Sequence, residues 1–390
     1  MSAMDEILND LAGCRDTAAG MRELLLADLL HIGETPSPTG AEERRVEFFL
    51  QRLAEAGAQN CSTDEKGNGV GILPGTDGQR NILLFAYADT FVSNPQDQTV
   101  EIEIDRVVGP FVGDNSLGLA SLILLPSLLE KLRISLRSNV ILMAAARTLG
   151  RGNLEGLKAF LASGRPPIHH GICLESVQFG RLNYTSLGML RCEIVCRMPD
   201  DYNWVHHGAT GTITPMSEMI NHINGIPIPR RPLTSIVLGS IHGGISSRNI
   251  ARQTTLSFEV RSESADVLTQ IQQTIEHAAE EISARSGTRI TLDVFSQRQP
   301  GGLEASHPLV QSARGVIGAL AVQPMIYATT SAMSALVDLK IPALTLGITT
   351  GTRFSQLDEI DEALAIAPMA GGLAQVVGIL RAIDEGICDV

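Results

Sequence analysis

Three carboxylates follow segments of strand length and are the first candidates for chemistry. Asp89 follows the apolar run NILLFAYA, Asp114 lies in the turn VGDNS, and Glu175 ends the run GICLE. In open α/β sheets, ligands bind beyond the carboxyl ends of the strands. We therefore expect Asp89, Asp114 and Glu175 to converge on one edge of a sheet. Carboxylates there can serve as metal ligands or as general bases.

The elements that must position these residues alternate between helix and strand over residues 1–186. Apolar runs predict strands buried on both faces, separated by amphipathic or buried helices. This alternation indicates a mostly parallel sheet between helical layers, which is a three-layer α/β/α domain. The same pattern returns in residues 302–390. We therefore assign 1–186 and 302–390 to one α/β domain of catalytic type.

Residues 187–301 have a different character. Their periodicity predicts strand, helix, strand, strand, helix, strand, which is the ferredoxin-like βαββαβ order. Cys192 and Cys196 lie four apart in the first of these strands and so share a face, which favours packing thiols over zinc ligands. The sequence thus predicts a ferredoxin-like domain inserted into the α/β domain.

Composition narrows the classes of partner. The chain has 390 residues and a formal charge of −13, which argues against a nucleic-acid partner. The start of the chain is polar and acidic, and the longest apolar stretch is too short to span a bilayer. The six cysteines form no CxxC motif and no paired framework. We therefore predict a cytoplasmic protein that binds neither nucleic acid nor membrane.

Several motifs, in this order and with this insertion, resemble the dinuclear zinc exopeptidases and deacylases. That family includes aminoacylase, acetylornithine deacetylase, succinyl-diaminopimelate desuccinylase, carboxypeptidase G and the tripeptidases. The resemblance covers nearly the whole chain. It implies hydrolysis of amide bonds in peptides or N-acyl amino acids with two zinc ions. The motifs are TPSPTGAE (35–42), IHGGISSRNI (241–250), LKIPALTLG (339–347) and FSQLDEI (354–360).

The positions that hold zinc in the resembled family are largely substituted. The H-x-D motif reads Tyr87-Ala88-Asp89, and the Glu-Glu pair, whose members are the general base and a zinc ligand, reads Arg147-Thr148. The last histidine ligand falls on a phenylalanine. The resulting degenerate metal positions are Tyr87, Asp114, Thr148, Glu175 and Phe354.

These substitutions predict a site without zinc. A catalytic zinc needs about three protein ligands, and an arginine adds a fixed positive charge that repels a cation. We predict no metal and no other cofactor, with Arg147 paired to Asp114 or Glu175 instead. Asp89 would then accept a hydrogen bond from Arg147 or Tyr87. The candidate catalytic residues are Asp89, Asp114, Arg147 and Glu175.

The resemblance also implies residues on the ligand side of the site. His206 and His207 match the part of the inserted domain where the family has a histidine that reaches the partner subunit's site. Asn249 and Arg261 match an asparagine and an arginine that hold a substrate carboxylate. We predict a homodimer formed through the inserted domain and a small ligand with a carboxylate. The alternatives are incidental loop histidines and an ordinary ion pair at Arg261.

Three functions remain open at this point. The first is an amide hydrolase with an altered site, in which Asp114 or Glu175 acts as the base. The second is a non-catalytic binding or assembly protein that has kept the dimer and the cleft. The third is a metal-free reaction on a small carboxylate-bearing substrate, using Arg147 and Tyr87.

Overall fold

The computed structural model describes residues 2–91, 98–200, 211–352 and 361–389. The chain folds into two compact units. The first comprises Met1–Thr185 and Gly302–Val390, and the second comprises Ser186–Gly301. The predictions for His206, His207 and Phe354 lie outside the described residues.

The first unit contains a seven-stranded sheet with the strand order β1-β2-β6-β3-β7-β15-β8. The four strands β6, β3, β7 and β15 are parallel, and those nearer the edges are antiparallel. The strands are β1 (Gln59–Thr63), β2 (Gly69–Leu73), β3 (Asn81–Tyr87), β6 (Asn139–Ala145), β7 (His170–Val177), β8 (Leu182–Asn183) and β15 (Ala343–Thr349). Side chains of β3, β7 and β15 are buried throughout, as the continuous apolar runs predict.

Helices and buried cores lie on both faces of this sheet. Alternate residues of β3 enter different cores, because successive strand side chains point to opposite faces. This confirms the predicted α/β/α layers. The helices are α1 (Ala3–Ala19), α2 (Arg22–Gly33), α3 (Glu43–Glu55), α4 (Leu117–Lys131), α5 (Glu155–Ala162), α8 (Pro308–Ala319), α9 (Ser334–Val337) and α10 (Met369–Asp384).

Two features of this unit were not predicted from the sequence. The first is helix α1 (Ala3–Ala19), which precedes the elements expected from the sequence. Its buried face was visible in the spacing of Ile7, Leu11, Cys14 and Ala18. The second feature is a small antiparallel sheet made of β4 (Glu101–Ile102), β5 (Arg106–Pro110) and β16 (Asp361–Ala365). Strand β5 is followed by a turn at Val112–Ser116, whose backbone is not helical at Asp114 and Asn115.

The second unit is a four-stranded antiparallel sheet with two helices, in the order β11-β12-β10-β13. The predicted βαββαβ succession is confirmed, and Cys192 and Cys196 are buried in its core. The elements are β10 (Gly188–Arg197), α6 (Ile213–Asn224), β11 (Thr234–Gly243), β12 (Gln253–Ser262), α7 (Ala265–Ser286) and β13 (Arg289–Arg298). Two-residue strands, β9 (Thr185–Ser186) and β14 (Gly301–Gly302), lie at the boundaries of the units.

The apolar stretch expected to be too short for a bilayer is extended by the turn that precedes α4, and Val112–Lys131 is long and apolar enough to cross a membrane by length and composition alone. Of its most apolar 18-residue window, 94% is buried inside the structure. This burial is the arrangement of a core helix.

Candidate active site

Glu175 and Tyr87 meet at the carboxyl ends of two neighbouring parallel strands. The register of β3 on β7 places Phe85 opposite Cys173, so the residues two further along each strand face each other. The Tyr87 hydroxyl donates a hydrogen bond of 3.1 Å to Glu175 Oε1, and both side chains are buried. The predicted convergence therefore brings a phenol to Glu175, at the position where the resembled family has a histidine ligand.

The other oxygen of Glu175 pairs with an arginine that the sequence analysis missed. Arg181 Nη1 donates to Glu175 Oε2, and each of these side chains is 3% exposed. Arg181 Nε donates to Asn183 Oδ1. The ring of Tyr327 lies 5.5 Å from the guanidinium carbon, which is within cation–π range. The first unit thus supplies a cation of its own to Glu175.

The turn after β7 carries Arg181 back to this carboxylate. Gly180 has φ +87°, a backbone conformation that residues with a Cβ rarely adopt. Gly347 on β15 lets the turn pass closely, because a Cβ there would lie 2.0 Å from the Gln178 carbonyl oxygen. Beyond the turn, β8 pairs antiparallel with β15 through Asn183. In the sequence, the only hint of this arrangement is a Gly-Arg pair just after a predicted strand.

Asp89 is buried and accepts several hydrogen bonds. Its Oδ2 accepts from Thr39 Oγ1 at 2.8 Å and from the backbone N–H groups of Thr148 at 2.9 Å and Leu149 at 2.8 Å. Its Oδ1 accepts from the Thr148 hydroxyl. These groups take the place of the Arg147 or Tyr87 donor expected from the sequence. Asp89 therefore fixes the loop that follows β6.

Electrostatics at Asp89 reflect its burial. Burial raises the pKa of this carboxyl, and the hydrogen bonds from Thr148, Leu149 and Thr39 act in the opposite direction. The charge of Glu42 also raises the pKa of Asp89. A positive charge near Asp89 belongs to Arg45, which is buried and donates from Nε to the Thr35 carbonyl at 2.7 Å. Burial lowers the pKa of Arg45 to about 10, against the opposing effect of the Asp89 charge.

Arg147 does not pair with either carboxylate predicted for it. Its Nη1 bonds Glu155 Oε2 at 3.2 Å, and the backbone N–H of Glu155 donates to the Arg147 carbonyl at 3.1 Å. Arg147 has φ +53°, so its backbone is left-handed where the chain leaves β6. This geometry closes a loop onto the start of α5. The expected ion pair of Arg147 with Asp114 or Glu175 was therefore wrong.

Asp114 lies in the turn at Val112–Ser116, which is held against β7. The next residue, Asn115, donates from Nδ2 to the Leu174 carbonyl at 2.8 Å. Its Oδ1 accepts the Ser176 backbone N–H at 2.8 Å. These two bonds flank Glu175 in the strand, so the turn that carries Asp114 is fixed beside the Glu175 position, as the convergence of strand ends predicts.

The donors at the positions that correspond to zinc ligands do not fit a zinc pair. The Tyr87 phenol donates a hydrogen bond to Glu175, and the same carboxylate is ion-paired with the guanidinium of Arg181. The Thr148 hydroxyl donates to Asp89. Across the described ranges, no three histidine, cysteine, aspartate or glutamate side chains are grouped so that they could hold a metal ion. Neutral hydroxyls and a guanidinium are poor substitutes for the anionic and imidazole ligands that zinc requires.

The second unit carries the other predicted ligand-binding residues. Asn249 is exposed and accepts a hydrogen bond from Ser246 Oγ at 2.7 Å. Arg261 Nε pairs with Glu259, which also binds Arg191, and the Arg261 side chain is 41% exposed. Arg261 is the penultimate residue of β12, and Asn249 lies in the loop four residues before the first residue of that strand. The strand rise separates Gln253 from Arg261 by roughly 26 Å. Asn249 therefore lies in the loop that enters β12 at the end opposite to Arg261.

Comparisons with known proteins agree with this architecture. Residues 202–286 match a family model described as a peptidase dimerisation domain. The di-peptidase Dug1p of Saccharomyces cerevisiae superposes with a TM-score of 0.78 at 12% identity, covering 99% of each chain. Human carnosine dipeptidase 1 gives 0.77 at 9% identity, covering 96% of this chain and 100% of that one. A Staphylococcus aureus tripeptidase gives 0.73 at 16% identity, covering 93% and 99%. No curated protein sequence matches the chain.

The two units have the fold of these solved peptidases, and the second unit contains the residues that match the dimerisation-domain model. The solved structures of this shape include a dinuclear metal-binding peptidase and a metallo-carboxypeptidase, both of the M20 family. The resemblance to dinuclear zinc exopeptidases that the sequence motifs indicated is thereby confirmed, at the level of fold and of the matched domain.

Proposed function

We propose that this protein is a dimeric binding protein built on a peptidase fold, and that it does not hydrolyse amide bonds by zinc chemistry. The observation that carries the proposal is the pair Arg147-Thr148, at the positions of the family's general base and one zinc ligand. Arg147 bonds Glu155, and the Thr148 hydroxyl donates to Asp89. Neither side chain can take a proton from water or present an anion to a metal.

The two catalytic alternatives have less support. Both oxygens of Glu175 are engaged, by Tyr87 and Arg181, so this carboxylate is poorly placed to activate water. Hydrolysis would then depend on Asp114 as the base. A metal-free reaction using Arg147 and Tyr87 would have to join two side chains that bind different carboxylates, Glu155 and Glu175 respectively.

The ligand class that we propose is a small peptide or N-acyl amino acid with a free carboxylate. The similar solved structures include a dipeptidase and a tripeptidase, and such substrates carry a carboxylate. Arg261 is a suitable partner, because its half-exposed guanidinium can bind a carboxylate while Nε remains on Glu259. Asn249, His206 and His207 stay in the proposal as ligand-binding residues.

We also propose a homodimer formed through the second unit, in the cytoplasm. Strand β11 is at the edge of its sheet, and Val237 and Ile241 on it are about half exposed. Exposed apolar side chains on an edge strand favour pairing with another chain. The cytoplasmic location rests on the cysteines, since all six lie in the described part of the chain and are free.

Calorimetry and a hydrolysis assay on the same dipeptides and N-acyl amino acids test this function. We expect binding without turnover, whether or not zinc or cobalt is added. Arg261→Ala should weaken binding by roughly tenfold or more, as expected for loss of an arginine–carboxylate bond. The matched control is Arg252→Ala, at an exposed arginine one residue before β12, and it should bind as the parent does. Metal-dependent turnover would overturn the proposal.

A further inference from the structure

We propose that Arg181 is the resident cation of the Glu175 site. Its guanidinium supplies the positive charge that a metal ion supplies to the corresponding carboxylate in the resembled peptidases. Arg181 is thus a positioning residue, which holds Glu175 and, through Glu175, the phenol of Tyr87. The inference rests on the proposed function, in which the site holds no metal ion. It deepens that function by naming the group that balances the charge of Glu175 in place of a metal.

Burial makes the charge of Arg181 necessary. Both members of the pair are 3% exposed, so neither charge is solvated by water. A lone buried carboxylate is very unfavourable unless a cation and hydrogen bonds compensate it. Arg181 provides the cation, and Tyr87 provides a hydrogen bond to the other oxygen. The carboxylate is therefore satisfied on both oxygens by groups of the first unit.

The guanidinium is itself held in place from several directions. In addition to Glu175, it donates to the Val177 carbonyl at 3.3 Å and to the Asn183 side chain. Asn183 Nδ2 in turn donates to the backbone carbonyl of Tyr327, whose ring contacts the guanidinium. A cation fixed by these groups is preorganised at Glu175. A divalent ion at this carboxylate would be repelled by that fixed positive charge.

The other arginines near the strand ends have different partners. Arg147 pairs with Glu155 on the surface. Arg45 is buried beside Asp89 and bonds the carbonyls of Thr35 and Ala88. Among the described contacts of Glu175, Arg181 is therefore the arginine that supplies a positive charge.

A double-mutant cycle on the full chain tests this inference by urea unfolding. Arg181→Met and Glu175→Gln should each raise the unfolding constant by roughly a hundredfold or more, because each leaves one buried charge unpaired. The double variant should be more stable than Arg181→Met alone, since no charge is then left unpaired. Arg181→Lys keeps the charge and should recover part of the loss. The exposed pair Arg285 and Glu218, changed to Met and Gln in the same way, is the control and should show little coupling.

Two outcomes overturn the inference, namely additive effects in the cycle and an Arg181→Lys variant no better than Arg181→Met. If Arg181→Met does not fold, the double variant decides the matter: a folded double variant supports the inference and an unfolded one overturns it. These readouts need no activity. Bound zinc with turnover would overturn the proposed function, whereas an uncoupled cycle would overturn the role of Arg181 alone.

Discussion

The side chain of Arg181 forms a buried ion pair with Glu175, six residues earlier in the chain. The pair spans the turn between β7 and β8, at the carboxyl end of the parallel strands. In the resembled peptidases a carboxylate at this position binds zinc, whereas here an arginine of the same chain already balances its charge. The charge balance at the centre of the fold is thus internal to the polypeptide.

The turn that delivers Arg181 should be sensitive to a single methyl group. Gly180→Ala places a Cβ 2.5 Å from Val322 Cγ1 at a φ of +87°. We expect a loss of about 3 kcal/mol in the free energy of unfolding, from backbone strain and overpacking together. Gly57 has φ +89° with nothing within 4 Å of its Cβ position, so Gly57→Ala should cost only about 1 kcal/mol. Equal losses in urea unfolding would contradict this account of the turn.

The stability of the first unit should fall in mild acid because of His170. Burial lowers the pKa of this imidazole, more than the charge of Asp389 raises it. The unfolded chain therefore binds more protons than the folded one, so stability is lost as the pH falls below about 6.5 and through the lowered pKa. His170→Gln should remove that part of the loss. Urea unfolding measured across this pH range gives the slope of the free energy of unfolding against pH for each protein. The same slope in the parent and in the variant would rule out His170 as the cause.

The edge strand of the second unit should control the oligomeric state. Ile241→Asp places a charge in the exposed apolar row of β11 and should convert a dimer to a monomer. Ile104, fully exposed in the first unit, is the control, and Ile104→Asp should leave the dimer intact. Light scattering coupled to gel filtration reports the mass directly. Dissociation by both variants, or by neither, would contradict a dimer formed through β11.

The fold was predictable because its signals are local. Apolar runs such as Asn81–Tyr87 are long enough for strands buried on both faces, and the change to βαββαβ order marks the insertion. Helix α1 was not predicted, although the spacing of its buried residues is helical. Most of its other residues are charged or polar, so its apolar pattern is weak. The small sheet of β4, β5 and β16 joins strands about 250 residues apart, which no local pattern indicates.

The site was only partly predictable, because its contacts depend on how distant segments pair. The convergence of Tyr87 and Glu175 follows from parallel register, which the alternation of elements implies. The position of Arg181 depends on β8 pairing with β15, far along the chain. The direction of Arg147 depends on a left-handed backbone that nothing in its side chain requires. An arginine was therefore correctly predicted as a partner of Glu175, but it is Arg181 and not Arg147.

Metal content tests the central claim most directly. The chain is purified without chelator, its zinc is measured by mass spectrometry, and hydrolysis of dipeptides and N-acyl amino acids is assayed on the same sample. We predict zinc far below one ion per chain and no turnover, because Arg181 and the hydroxyls of Tyr87 and Thr148 leave no ligand set for it. Two zinc ions per chain together with turnover would contradict the account.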